Sequence, residues 1–170
     1  NNIKALEFNT VDSYKTNRLE ATKNDQKIET RVNELRLRSG SQLTMSNVNV
    51  SSVIKSSPGS KLIIEEKASF NDHTTIELTE TSYIDFGSSQ IEGICKVRLS
   101  NANQNPNNLE EKIIPLICGA NLDCSEWRRK FEGNDEYISS SCYRFNGQMC
   151  LTASNAPGTL NNEGKSKPLS

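Results

Sequence analysis

The stretch "SGSQLTMSNVNVSSVIKSSPGSKLIIEE", Ser39–Glu66, states one phrase twice. Gly40-Ser41-Gln42-Leu43-Thr44-Met45 and Gly59-Ser60-Lys61-Leu62-Ile63-Ile64 are near-copies offset by nineteen residues. Each couples a turn pair, glycine and serine, to a short apolar run, so each reads as a corner followed by a strand. A strand this short needs a neighbour for its backbone donors and acceptors. A second copy one coil later provides it, with strands stacking about 4.8 Å apart and inward positions forming apolar columns. A coil of about 20 residues fits such stacking.

The rhythm continues through Val48-Asn49-Val50, Val53-Ile54, Thr75-Ile76-Glu77-Leu78, Tyr83-Ile84-Asp85-Phe86 and Ile94-Cys95-Lys96-Val97-Arg98-Leu99. Ser, Asn, Gly, Pro and Asp occupy the breaks. Upstream, "KIETRVNELRLR" carries helical spacing at Ile28, Val32 and Leu35, yet Leu35-Arg36-Leu37-Arg38 alternates as a strand does, and strands are expected there. The third glycine-serine pair, Gly87-Ser88, comes twenty-eight residues after the second and breaks the spacing.

Together, "GSQLTMSNVNV", "GSKLIIEEKASF" and "TTIELTETSYIDFGSSQIEG" resemble the right-handed parallel β-helix of secreted and cell-surface proteins such as autotransporter passenger domains and other microbial adhesins. The resemblance covers Ser39 to Leu99 and rests on a rhythm rather than a fixed motif. The expected fold class is mainly β: short stacked strands in a β-solenoid with a cysteine-containing C-terminal cap. An antiparallel β-sandwich or jelly roll is the alternative. Residues 1–100 form the strand-rich portion, 101–153 the cysteine-bearing portion behind the Asn-rich "NANQNPNN", and 154–170 a mobile tail.

Composition restricts partners more than it names them. Net charge is -1 with acids and bases interspersed, which points away from nucleic acid, and no run approaches the length of a membrane helix. Aromatic content of 6 % with abundant Asn, Ser and Thr suits strands and turns. The opening Asn1-Asn2-Ile3 reads as a fragment or processed form, so further domains of the same protein are possible partners.

All five cysteines lie in the second half, with no C-x-x-C pair and a distant single His73, so zinc spacing is absent. Cys118-x5-Cys124 and Cys142-x7-Cys150 resemble small disulfide loops, which implies an oxidising compartment. The four allow three pairings, and the fifth is expected either as a buried free thiol, Cys95 in its apolar strand, or as a cysteine whose partner lies outside this stretch of chain. Within the cysteine-bearing part, Pro115 marks an edge or bulge, Ser125–Phe131 a short helix, and Asn146-Gly147 a hairpin turn.

Candidate chemistry is sparse. His73 with Asp72 lacks a nucleophile elbow and reads as a solvated turn. Glu65, Glu66, Glu77, Glu80 and Asp85 are the set a polysaccharide-cleaving β-helix enzyme would use, and equally the acids a soluble strand face carries anyway. Glu132, Asn134, Asp135 and Glu136 lack EF-hand order. No cofactor and no metal are expected. Trp127 beside Arg128 and Arg129, with Tyr143 or Tyr137, is the candidate contact surface for a protein or sugar ring, although a lone Trp in a small disulfide-bonded unit is often its core. Asn49-Val50-Ser51 is the one N-x-[ST] sequon, with Asn49 the candidate glycosylation site. These readings favour a non-enzymatic, secreted or cell-surface glycoprotein module for adhesion or assembly with surface proteins or glycans. A carbohydrate-binding module or polysaccharide-active enzyme is the alternative.

Overall fold

The computed structural model describes residues 4–100, 113–133 and 138–154. The first ten strands are β1 (Ala5–Ser13), β2 (Thr16–Leu19), β3 (Ala21–Lys23), β4 (Gln26–Leu37), β5 (Gln42–Ser56), β6 (Lys61–Phe70), β7 (Thr75–Leu78), β8 (Tyr83–Asp85), β9 (Gln90–Glu92) and β10 (Cys95–Leu99). Except for the β3–β4 hairpin their pairings are parallel, and they wind into a β-solenoid of about four turns. "KIETRVNELRLR" is strand throughout.

Three walls enclose the core. In the first, β2, residues 42–46, residues 61–65 and β8 stack in order. The second stacks residues 5–8, 29–32, 48–50, 68–70 and then β9. The third stacks residues 10–13, 34–37, 53–56, β7 and β10. Register aligns like with like: Leu43–Leu62–Ile84 on the first wall, Val32–Val50–Phe70 on the second, Leu35–Ile54–Ile76–Val97 on the third. All of these are buried. Alternation with period two turns their neighbours outward, which is why the sequence reads apolar and polar in turn.

The repeated phrase lies at the corner between the third and first walls. Gly40 (φ 72) and Gly59 (φ 78) take the left-handed conformation that glycine adopts without steric cost. The Ser41 and Ser60 hydroxyls, both buried, donate to the carbonyls of Arg38 and Ser57 at 2.7 Å. One coil later, the register places Thr81 and Ser82 at this corner, and the Gly59 amide donates to Thr81 Oγ1 at 2.9 Å. Gly87-Ser88 lies elsewhere, after β8, where the chain leaves the first wall for the second. The broken spacing therefore reflects two different corners rather than an irregular coil.

Gly93 stands where two coils approach closely. With φ at +93, a Cβ there would sit 2.1 Å from the Phe70 carbonyl oxygen one coil earlier. Gly93→Ala should destabilise by about 2–4 kcal/mol, since left-handed strain and a backbone collision add. Gly40→Ala, where nothing lies within 4 Å, should cost about 1 kcal/mol. Urea midpoints at constant m-value would check both. Equal losses would mean that φ alone matters.

The cysteine-bearing part continues the solenoid and then closes it. β11 (Ile113–Gly119) adds parallel to β8, helix α1 (Cys124–Lys130) follows, and β12 (Phe131–Gly133) adds parallel to β10. A hairpin of β13 (Ile138–Phe145) and β14 (Gln148–Ser154) pairs antiparallel on β11. Pro115 lies where β11 pairs with β14 alone, beside a register shift, because a residue without an amide hydrogen cannot serve two neighbours. Asn146 (φ 52) and Gly147 (φ 79) make the hairpin turn. Asp123 caps α1, its carboxylate accepting from the Glu126 amide. Residues 101–112, Asn134–Tyr137 and 155–170, which hold the expected linker, most of the candidate acidic loop, Tyr137 and most of the expected tail, lie outside the described residues.

Candidate functional site

The expected contact surface around Trp127 does not assemble. Trp127 is 0 % exposed, stacked on Phe131 at 4.9 Å between ring centroids and tilted against Phe86 at 6.1 Å. Phe70 meets Phe86 edge-on at 6.1 Å, extending this cluster into the coils. Gly119 makes room for the indole, since a Cβ there would fall 2.7 Å from the ring. Tyr143 is buried as well. Arg128 and Arg129 are exposed on α1, but neither ring is presented beside them. The physical reason is area: an indole at the end of an apolar column gains more by closing it than by facing water.

The disulfides pair across the cap and not within the two short loops. Cys118 joins Cys150, directly opposite it on β14, with Cα atoms 4.1 Å apart. Cys124 at the start of α1 joins Cys142 on β13, with Cα atoms 5.5 Å apart. Spacing suggested local loops because it carries no information about which strands lie side by side. Cys95 is free and buried, facing Phe131 in register, and burial pushes its thiol well above the ordinary range. Two disulfides are the signature of an oxidising, extracellular-type environment.

The candidate carboxylates are dispersed. Glu65 and Asp85 lie on the first wall, whereas Glu77 lies on the third, in register between Lys55 and Arg98. Glu65 pairs with Arg18, and Glu66 with Lys27 at 3.4 Å. Asp85 accepts from the Gly87 amide at 2.8 Å and from Gln148 Nε2 at 3.3 Å. Glu80 is half-buried in the turn before β8, and Glu132 is exposed on β12. The Arg18 guanidinium holds the Glu65 carboxyl below its usual range, as Lys27 does for Glu20. A carboxylate held ionised in this way is a poor proton donor at neutral pH. His73 and Asp72 are exposed in the turn after β6. Among the described residues, no cluster of His, Cys, Asp and Glu could hold a metal ion.

Charge on the walls is matched both along a strand and between coils. Arg31 bonds Glu7 at 3.3 Å and Glu29 at 2.7 Å, Arg36 bonds Glu34 at 2.7 Å, and Lys67 bonds Glu92 at 3.3 Å. Arg38 grips Asp12 with two hydrogen bonds of 2.9 Å, and this pulls the Asp12 carboxyl below its usual range. Exposed pairs of this kind add little stability one by one. Their effect is on register and solubility, because a slipped coil would set like charges opposite.

One outer strip carries amides and hydroxyls. At the corner between the second and third walls, Asn33 donates to Asn9 at 3.2 Å, and Ser51 donates to Asn33 at 3.0 Å. Beside it lies a shallow concavity of about 380 Å³, lined by Glu7, Arg31, Asn33, Asn49, Ser51 and Asn71. Asn49 is half-buried here, between Arg31 and Ser69 on the neighbouring coils. Asn9 and Asn33 were not singled out from sequence, and Ser51 entered only as the last residue of the sequon. Their signal is recurrence at coil spacing, visible only once the coils are aligned. Compared with known proteins, the chain matches no family model, no curated sequence and no solved structure.

Proposed function

We propose that this chain is a non-catalytic module of an extracellular or cell-surface protein, serving adhesion or assembly much as the solenoids of microbial adhesins do. The observation that carries this reading is a stiff stack of coils, charge-matched along its walls and closed at one end by a disulfide-bonded cap. Such an object holds a large surface in fixed geometry. Of the candidate acids, Glu65 and Glu66 are paired with bases and Asp85 accepts from a backbone amide, and the polar strip around Asn33 and Asn49 offers hydroxyl-rich ligands donors and acceptors in a row. The disulfides support an oxidising location, and a glycan on Asn49 would project from the second wall.

The test uses the disulfide-intact chain immobilised on a sensor surface. Retention of cell-surface glycans or surface proteins is expected, with no release of reducing ends or unsaturated products from acidic or neutral polysaccharides, with or without calcium. Measurable turnover would sink the non-catalytic reading, and failure to retain any such ligand would sink adhesion.

A further inference from the structure

The second wall ends one strand before the other two. On the first wall β11 adds to β8, and on the third β12 adds to β10, but β9 pairs with β6 alone, and among the described residues nothing pairs with its other edge. The chain follows the path of the coils as far as Ala120, whose amide donates to the Gly87 carbonyl at 2.7 Å, and then turns away into α1. That helix packs on β12, β13 and β14, and Cys124–Cys142 ties it to β13. A gap is left beside β9. It holds a concavity of about 440 Å³ with Ile91, Leu122 and Lys130 in its lining, and a neighbouring one of about 310 Å³ around Ile94, Arg129 and Lys130.

Backbone direction says what shape fits there. In these parallel coils an outward residue turns its amide to the coil before: Lys61 donates to the Ser41 carbonyl at 2.9 Å, Tyr83 to Ser60 at 3.0 Å and Asn71 to Val50 at 3.4 Å. Inward residues turn the other way, toward the coil that follows. Ile91 is inward and buried, so its N–H and C=O face the gap, and among the described residues neither meets a partner. Backbone groups of a buried residue need one. An extended strand laid parallel to β9 supplies it, donating to the Ile91 carbonyl and accepting from the Ile91 amide. Side chains say what that strand carries. Ile91 and the half-buried Leu122 fit an apolar residue, and Ile94 at the corner is 44 % exposed. Arg129 and Lys130 form no ion pair among the described residues, whereas of the two acids lining the same concavities Glu92 is already bonded to Lys67 at 3.3 Å, which leaves Glu126. The balance is basic and fits a carboxylate. A second copy presents the same bases, and two such grooves face to face would set Arg129 and Lys130 against themselves.

We propose that the gap beside β9 is a docking site for an extended segment of a partner polypeptide, added parallel to β9 as the missing strand of the second wall, with an apolar residue over Ile91 and a carboxylate at Arg129 and Lys130. This names the partner class for the assembly half of the proposed function and rests on that half.

The probe is a short fluorescein-labelled synthetic peptide of alternating threonine and valine ended by aspartate, titrated with the full chain and followed by anisotropy. Saturable binding is expected, with slowed exchange of the Ile91 amide and no change in Ala5–Ser13. Ile94→Lys should weaken binding by about tenfold, since a charge then stands at the apolar corner. Arg129→Glu should weaken it about threefold, and a peptide ended by lysine should recover the loss. Methylating the peptide nitrogens removes the donors to the Ile91 carbonyl and should abolish binding. Ile94 and Arg129 are exposed, so both variants should keep the parent melting temperature, which is checked in parallel. No saturation up to a millimolar peptide concentration, binding indifferent to Ile94→Lys, or full binding of the methylated peptide overturns the proposal. Sedimentation showing a dimer that Ile94→Lys dissolves overturns it in favour of a second copy. An Ile91 amide already slow to exchange in the free chain overturns it in favour of a segment of this chain. Failure here, with glycan or surface-protein retention intact, removes the edge site and leaves adhesion standing.

Discussion

Trp127→Ala should destabilise the cap by about 3–5 kcal/mol and should open it without unwinding the coils. The indole has no exposed surface and stacks on Phe131, which in turn packs on Phe86 and Phe70. Removing it leaves a cavity bounded by Gly119 and by those rings. Collapse into that cavity is restrained, because β11 is tied to β8 on one side and to β14 on the other. The cost therefore falls in the upper range for a large-to-small change. A solenoid behaves as a one-dimensional stack, so loss at the end is felt by the end.

Cys95 supplies the readout. It is buried in register with Phe131, the residue on which Trp127 stacks, so it reports whether the cap is open. In the parent chain it should resist alkylation until the whole protein unfolds. In Trp127→Ala it should react at least tenfold faster while far-ultraviolet circular dichroism stays that of the parent. Fast alkylation of the parent would show that the cap opens freely and that Trp127 is not its anchor. Loss of strand signal in the variant would show that cap and coils unfold together, against the one-dimensional picture.

How far this was legible in the sequence depends on the range of the signal. Corner and strand chemistry is local, so Gly40-Ser41 and Gly59-Ser60 identified a coil and its spacing, and the Asn146-Gly147 turn, the helix after Cys124 and the bulge at Pro115 could be placed. Which residues meet across coils is not local. Thr81-Ser82 stands in for glycine-serine at the same corner one coil later, where threonine accepts from Gly59, a substitution that no pattern of glycines reveals. Disulfide partners and the facing of Trp127 depend on how β14 lies on β11, which is set by the fold and leaves no trace in spacing. The polar strip was missed for the same reason: Asn9, Asn33 and Ser51 are distant in sequence and adjacent only after stacking.

Removing either disulfide should cost about 3–4 kcal/mol, and removing both should cost less than the sum. The loops closed span 32 residues for Cys118–Cys150 and 18 for Cys124–Cys142. Chain-entropy reasoning makes the longer loop worth slightly more, roughly half a kcal/mol. The inner loop lies within the outer one, so each cross-link already shortens the free chain that the other restrains, and the two effects overlap. Their structural roles differ. Cys118–Cys150 fastens two adjacent strands that the β-ladder already holds, whereas Cys124–Cys142 fastens α1, whose seven residues are too few to persist in isolation. Cys124→Ala with Cys142→Ala should therefore release the helix bearing Trp127 and speed alkylation of Cys95, as Trp127→Ala does. Cys118→Ala with Cys150→Ala should lower the urea midpoint while leaving Cys95 protected under native conditions. If the second pair of substitutions exposes Cys95 and the first does not, the hairpin rather than the helix closes the solenoid.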